Sequence, residues 1–173
     1  TAELVFDSVP VPAANLVGEL HRGFVNTLQV LEGGRVAMAA MAVGIAQAAL
    51  DQALAYMKQR RAFGRTLAEF NGLQGMIADI GTEVEAARLL TLRAAALKDA
   101  GRPAKTAASM AKVFASEVAM KAASKALQIH GGAGYITEFP IERIFRDAKL
   151  TEIGEGTSEI QRMVIARDIL GLR

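Results

Sequence analysis

Apolar side chains recur at steps of three and four through Leu73, Met76, Ile77, Ile80, Val84, Ala87, Leu90, Ala94 and Leu97. That period puts one continuous stripe on one face of a helix and is incompatible with the two-residue period of a strand. It predicts a long amphipathic helix over Asn71–Asp99, stopped by Gly101-Arg102-Pro103. An Ala-rich stretch over 104–129 predicts a second long helix, because Ala has the highest helix propensity and small side chains let helices approach closely. A helical pattern also runs over 24–60. Gly33-Gly34 weakens it, so the expectation is a short helix followed by a long one. Three long helices with short turns make an antiparallel bundle, to which the C-terminal segment adds one or two shorter helices. The fold class is all-α. With 173 residues, of which 51% are apolar, there is material for one ordinary core.

Residues 1–20 behave differently. Ala2 to Phe6 alternates weakly, like a strand that has no partner nearby in sequence, and a lone strand leaves its ladder groups unpaired. The chain starts at Thr1 and shows no signal-peptide pattern. The simplest reading is a piece of a longer protein, with 1–20 the end of another domain and 21–173 the helical one. There is no uninterrupted apolar run of eighteen residues, so a membrane span is not expected.

Composition narrows the chemistry. Twenty basic and eighteen acidic residues leave a net charge of +2 without any block of one sign, which argues against nucleic-acid or membrane-surface binding. Without cysteine there is no disulfide, thiolate metal site or thiol nucleophile. His21 and His130 are the only histidines and lie far apart, so a transition-metal site is not expected.

Three segments could carry function. Gln128-Ile129-His130-Gly131-Gly132-Ala133-Gly134-Tyr135 places three glycines in four positions after a helix, which suits either a phosphate-binding loop or a tight turn between packed helices. His130 itself reads as structural. In Gly154-Glu155-Gly156-Thr157-Ser158-Glu159-Ile160-Gln161, Ser158 and Gln161 have capping-box spacing, so a helix should begin there. Glu155 would then sit just ahead of a helix N-terminus between two glycines, ionised and open to a substrate. A carboxylate beside free N–H donors suits proton abstraction next to a carbonyl, although a solvated loop glutamate has the same local sequence. Arg60-Arg61-Ala62-Phe63-Gly64-Arg65 closes the first long helix, either offsetting its dipole or binding phosphate.

Taken together, Arg60-x-x-Phe63-Gly64, the Gln128–Tyr135 loop, Arg146-Asp147-Ala148-Lys149 and Glu155-Gly156-Thr157-Ser158-Glu159-Ile160-Gln161-Arg162 resemble the C-terminal signature of acyl-CoA dehydrogenases, in order and spacing, over essentially the whole chain. Short-chain and bacterial members are the nearest in character. The resemblance implies a flavoprotein that oxidises acyl-CoA to trans-2-enoyl-CoA, with Glu155 as the base and FAD as hydride acceptor. The backbone N–H of Glu155 would bind the thioester carbonyl. By the same resemblance Arg60, Phe63, Asn71, Gln128, Gly131, Gly132, Thr157 and Glu159 meet FAD. Arg60, Phe63, Gln128 and the glycines would reach the cofactor of a neighbouring subunit in a dimer or a dimer of dimers. Glu32, Arg35 and Gly156 would meet acyl-CoA, and an electron-transfer flavoprotein would take the electrons. Such enzymes work in the bacterial cytoplasm or the mitochondrial matrix. Some branches of the family carry the base directly before the residue matching Arg35. Here that position is Gly34, and Glu32 would point from a different side of the helix.

Asn71 stands where Gln is common, and Gly154 where a Tyr often precedes the base. The missing ring suggests a widened pocket and a bulky acyl group, unless a neighbouring side chain fills the space. An acyl-CoA oxidase and a non-catalytic helical assembly module are the competing readings.

Overall fold

The computed structural model describes residues 2–172, with every side chain among them except that of Glu32. Five α-helices follow one another: α1 Gly23–Gln59, α2 Asn71–Asp99, α3 Lys105–His130, α4 Ile141–Ile153 and α5 Ser158–Ile169. The all-α bundle and its three long helices are as expected, and α2 spans Asn71–Asp99 as the apolar period required.

Two expectations are corrected. The first is the break at Gly33-Gly34, since α1 runs unbroken for 37 residues. Glycine lowers helix propensity by about 1 kcal/mol but does not itself terminate a helix. Both glycines are sites of close approach. A Cβ on Gly33 would come within 2.6 Å of Lys98 Nζ, and one on Gly34 would run into the Glu155 carboxylate. The second is the weak strand at Ala2–Phe6: among the described residues no strand forms there, and these side chains are exposed. The two strands that do form, β1 Arg61–Ala62 and β2 Arg65–Thr66, make a tight hairpin after α1. Phe63 and Gly64 at its tip both have positive φ (52° and 82°), the requirement of a type I′ turn.

The core is a seam of small residues. Ala39, Ala42, Ala46, Ala49 and Ala53 of α1 are fully buried, as are Ala111, Ala115, Ala119, Ala123 and Ala126 of α3. Their three-and-four spacing keeps the contact in register along the paired helices. Ile80, Val84, Ala87 and Ala94 close the core from α2. Lys121–Glu83 and Lys125–Asp79 pairs fix α2 antiparallel to α3, and Arg88–Gln47 ties α2 to α1. By length and composition α1 could cross a membrane, but its alanine face packs within the bundle.

Candidate active site

The chain path puts the α1 and α3 C-termini at one end of the bundle and the α4–α5 loop toward the other. Tyr56 stacks on His130, with ring centroids 4.3 Å apart, which brings Arg60 and the glycine loop to the same end. From Arg35 to Arg60 is 25 residues of continuous helix, or about 37 Å at 1.5 Å per residue. The candidate residues therefore fall into two groups.

At the first end, Arg60 is the exposed C-cap of α1, and Asn71 is the exposed first residue of α2. Phe63 is 94% exposed at the hairpin tip. Behind it Ala62, Phe63, Leu67, Phe70, Leu73 and Met76 line an open apolar groove of about 420 Å³. Gln128, Gly131 and Gly132 are exposed at the end of α3. The tight-turn reading of the glycine loop accounts for two of its glycines, for different reasons. Gly131 has φ 59°, a C-cap conformation that disfavours other residues. At Gly134 a Cβ would meet Leu127 O at 2.8 Å and His130 Cβ at 2.9 Å, so packing excludes a side chain. Neither reason applies to Gly132, whose Cβ would have open space. His130 is buried, and its Nδ1 donates to Ala126 O at 2.8 Å, a structural role.

At the second end stands Glu155. Thr157 and not Ser158 is the N-cap of α5, its Oγ accepting from Ile160 N at 3.4 Å. The N-cap is thus one residue earlier than expected and the capping box does not form there, because N3 is Ile160 and Gln161 is fully buried and turned back into the loop. Its Nε2 donates to Glu155 O at 3.0 Å and Gly156 O at 3.1 Å. Glu155 has φ 56° and Gly156 φ 89°. A left-handed conformation is uncommon for a non-glycine residue and persists only where the surroundings hold it. The Glu155 side chain points to α1, where Gly34 leaves room for it, and its Oε2 is buried without a hydrogen-bond partner. Arg35, the next residue of α1, is 9% exposed, with Nε and Nη1 likewise unpartnered. Glu159 is exposed. A hydrogen bond from its own backbone N–H, and then one from Thr157, hold its carboxyl below the usual 4.5. The side chain of Glu32 lies outside the described residues.

Two residues here escaped sequence reasoning. Met38 of α1 places its Cε 2.9 Å from where a Cβ on Gly154 would lie. The space of the missing ring is thus taken by a neighbouring side chain, which removes the reason to expect a widened pocket. Lys112 of α3 is fully buried and donates from Nζ to Glu152 O at 3.1 Å and Gly156 O at 2.8 Å. One of four lysines in an Ala-rich helix, it reads as a solvent-facing residue, so no local signal marks it. Thr66 and Glu69 form a complete capping box ahead of α2 that Thr-x-x-Glu spacing does signal. Among the described residues no cluster of His, Asp and Glu could hold a metal ion.

The structure is an all-α bundle presenting a half-buried carboxylate on a left-handed loop, with buried unpaired polar atoms beside it. Residues 21–170 match the family model "Acyl-CoA dehydrogenase, C-terminal domain". The chain belongs to the acyl-CoA dehydrogenase family. It is 55% identical over 170 residues to a probable acyl-CoA dehydrogenase of Bacillus subtilis, covering 98% of this chain and 45% of that protein. In structure it is similar to a chain of the electron transferring flavoprotein structure of Acidaminococcus fermentans, with TM-score 0.94 and 47% identity over 96% of this chain and 44% of that one. It is also similar to butyryl-CoA dehydrogenase from Megasphaera elsdenii, with TM-score 0.93 and 46% identity over 96% of this chain and 43% of that one. The chain therefore spans a little under half the length of these relatives.

Proposed function

We propose that this domain acts within a longer FAD-dependent acyl-CoA dehydrogenase, in which Glu155 takes the α-proton of an acyl-CoA thioester to give the trans-2-enoyl-CoA. The observation that carries this reading is the Glu155 carboxylate, held on a left-handed loop with one oxygen buried and unpartnered. Leaving such an atom unpaired costs about 1–3 kcal/mol, and a substrate against it supplies the partner. The lone pairs of Glu155 would receive the proton, while its backbone N–H would donate to the thioester carbonyl as enolate character develops.

The residues present fit a flavin and an acyl-CoA. Bound FAD would supply the acceptor for the hydride leaving the β-carbon. Thr157 and Glu159 would hold FAD toward its adenosine end, while Arg35, Gly156 and Glu32 would meet the acyl-CoA. Arg60, Phe63, Asn71, Gln128, Gly131 and Gly132 are too far along the bundle to share that site. They suit the FAD of a second subunit, which favours a dimer or a dimer of dimers. The exposed Phe63 ring and the open face of Gly132 are supporting features. Residues 1–20 would be the exit from a preceding β domain. Electrons would pass to an electron-transfer flavoprotein, in keeping with the Acidaminococcus likeness. The setting would be the bacterial cytoplasm or the mitochondrial matrix.

The test is anaerobic addition of acyl-CoAs to the full-length, FAD-loaded protein. Bleaching of the flavin with slow recovery in air supports a dehydrogenase, fast recovery indicates an oxidase, and no bleaching by any acyl-CoA contradicts both.

A further inference from the structure

We propose, resting on the reading of Glu155 as the base, that Lys112 is a positioning residue whose buried ammonium clamps the Glu155 loop in its left-handed form. Two successive positive-φ residues turn the carbonyls of Glu155 and Gly156 into the protein. The Glu155 carbonyl accepts from Gln161, whereas that of Gly156 accepts from Gln161 and, more closely, from Lys112. Through its second bond, to Glu152 O, the ammonium also grips the last turn of α4. It therefore spans the loop, fixing the segments on either side of Glu155 to the middle of the bundle.

A buried lysine is costly unless its N–H groups are engaged. Among the described residues no carboxylate pairs with Lys112 at salt-bridge distance; the bonds it makes are to backbone carbonyls. Burial first lowers its pKa, and the surrounding charges of Glu152, Glu159, Glu117 and Glu155 oppose that shift. Holding a helix C-terminus needs only the Glu152 contact. The Gly156 contact acts on the peptide that follows the base, and so on the direction in which the Glu155 carboxylate and N–H point.

The full-length, FAD-loaded protein carries the test, with Lys112→Met, which keeps a long apolar stem and donates nothing, and Lys112→Gln, which donates from one bond nearer the backbone. In the Met variant, FAD content and KM should stay near wild type while kcat falls ~10–100-fold, the cost of a misplacement near 1 Å. The Gln variant should fall between. Wild-type kcat in the Met variant overturns the proposal, as does a loss confined to FAD content or melting temperature. If the Met variant does not fold, the Gln variant decides: kcat per bound FAD below wild type supports the clamp, and equality overturns it. If wild type bleaches with no acyl-CoA, it is the functional reading that fails. Amide exchange at 155–158 then judges Lys112, at least about tenfold faster in a variant if the clamp exists and unchanged if it does not.

Discussion

The Glu155 carboxylate and the backbone of Gly34 occupy adjoining space: a Cβ built on Gly34 would come within 2.7 Å of Glu155 Cδ and closer still to one of its oxygens. Gly34→Ala therefore has two opposite effects. Ala in mid-helix stabilises by up to about 1 kcal/mol relative to Gly, but its methyl displaces the flexible end of Glu155. We expect a melting temperature at or above wild type with flavin reduction slowed about tenfold or more. In a Glu155→Gly background the same substitution should be purely stabilising, a non-additivity that thermal melts measure. Lower stability with normal reduction would contradict the contact.

The glycine loop separates packing from binding. Gly134→Ala drives a methyl against the carbonyl of Leu127, which cannot move freely, and should destabilise by about 1–3 kcal/mol in urea titrations. Gly132→Ala meets nothing within 4 Å among the described residues and should change stability by less than about 0.5 kcal/mol. If Gly132 faces the cofactor of a neighbour, that variant should nevertheless lose FAD on dilution.

These residues also show how far the sequence was legible. The stripe from Leu73 to Leu97 located α2, and four motifs of fixed spacing pointed to the family. Gly33-Gly34 misled because glycine reads locally as a breaker, whereas its cause is a side chain 121 positions away from Gly34, that of Glu155. The N-cap moved from Ser158 to Thr157 because burial of Gln161 outweighed the local capping pattern. Lys112 and Met38 act only through tertiary contacts, and nothing in their neighbours along the chain announces it.

Met38 is the side chain to change if the acyl pocket is to widen. Met38→Ala removes the thioether that abuts Gly154, so kcat/KM should shift toward branched or ring-bearing acyl-CoAs relative to butyryl-CoA. Each methylene of space is worth roughly 1–3 kcal/mol of discrimination. An unchanged ranking would show that Met38 does not border the acyl group.

Asp79 makes stability depend on pH. The hydrogen bond from Lys125, then its charge, hold the Asp79 carboxyl below the usual 3.8. A carboxyl lowered in the folded state stabilises above its unfolded pKa and loses that contribution as pH falls through the folded value. Asp79→Asn should thus melt slightly below wild type at neutral pH, and the two curves should converge well below 3.8. The gap should also shrink with added salt, because the pair is at the surface. A pH-independent gap would assign the effect to packing.

Replacement of Glu155 by Gln tests the central claim. The change keeps shape and hydrogen bonding while removing the ability to accept a proton. In anaerobic stopped-flow, the Glu155→Gln full-length protein should bind FAD and acyl-CoA normally yet reduce its flavin ~10²–10⁴-fold more slowly than wild type. Reduction at a near-wild-type rate would contradict the assignment of Glu155 as the base.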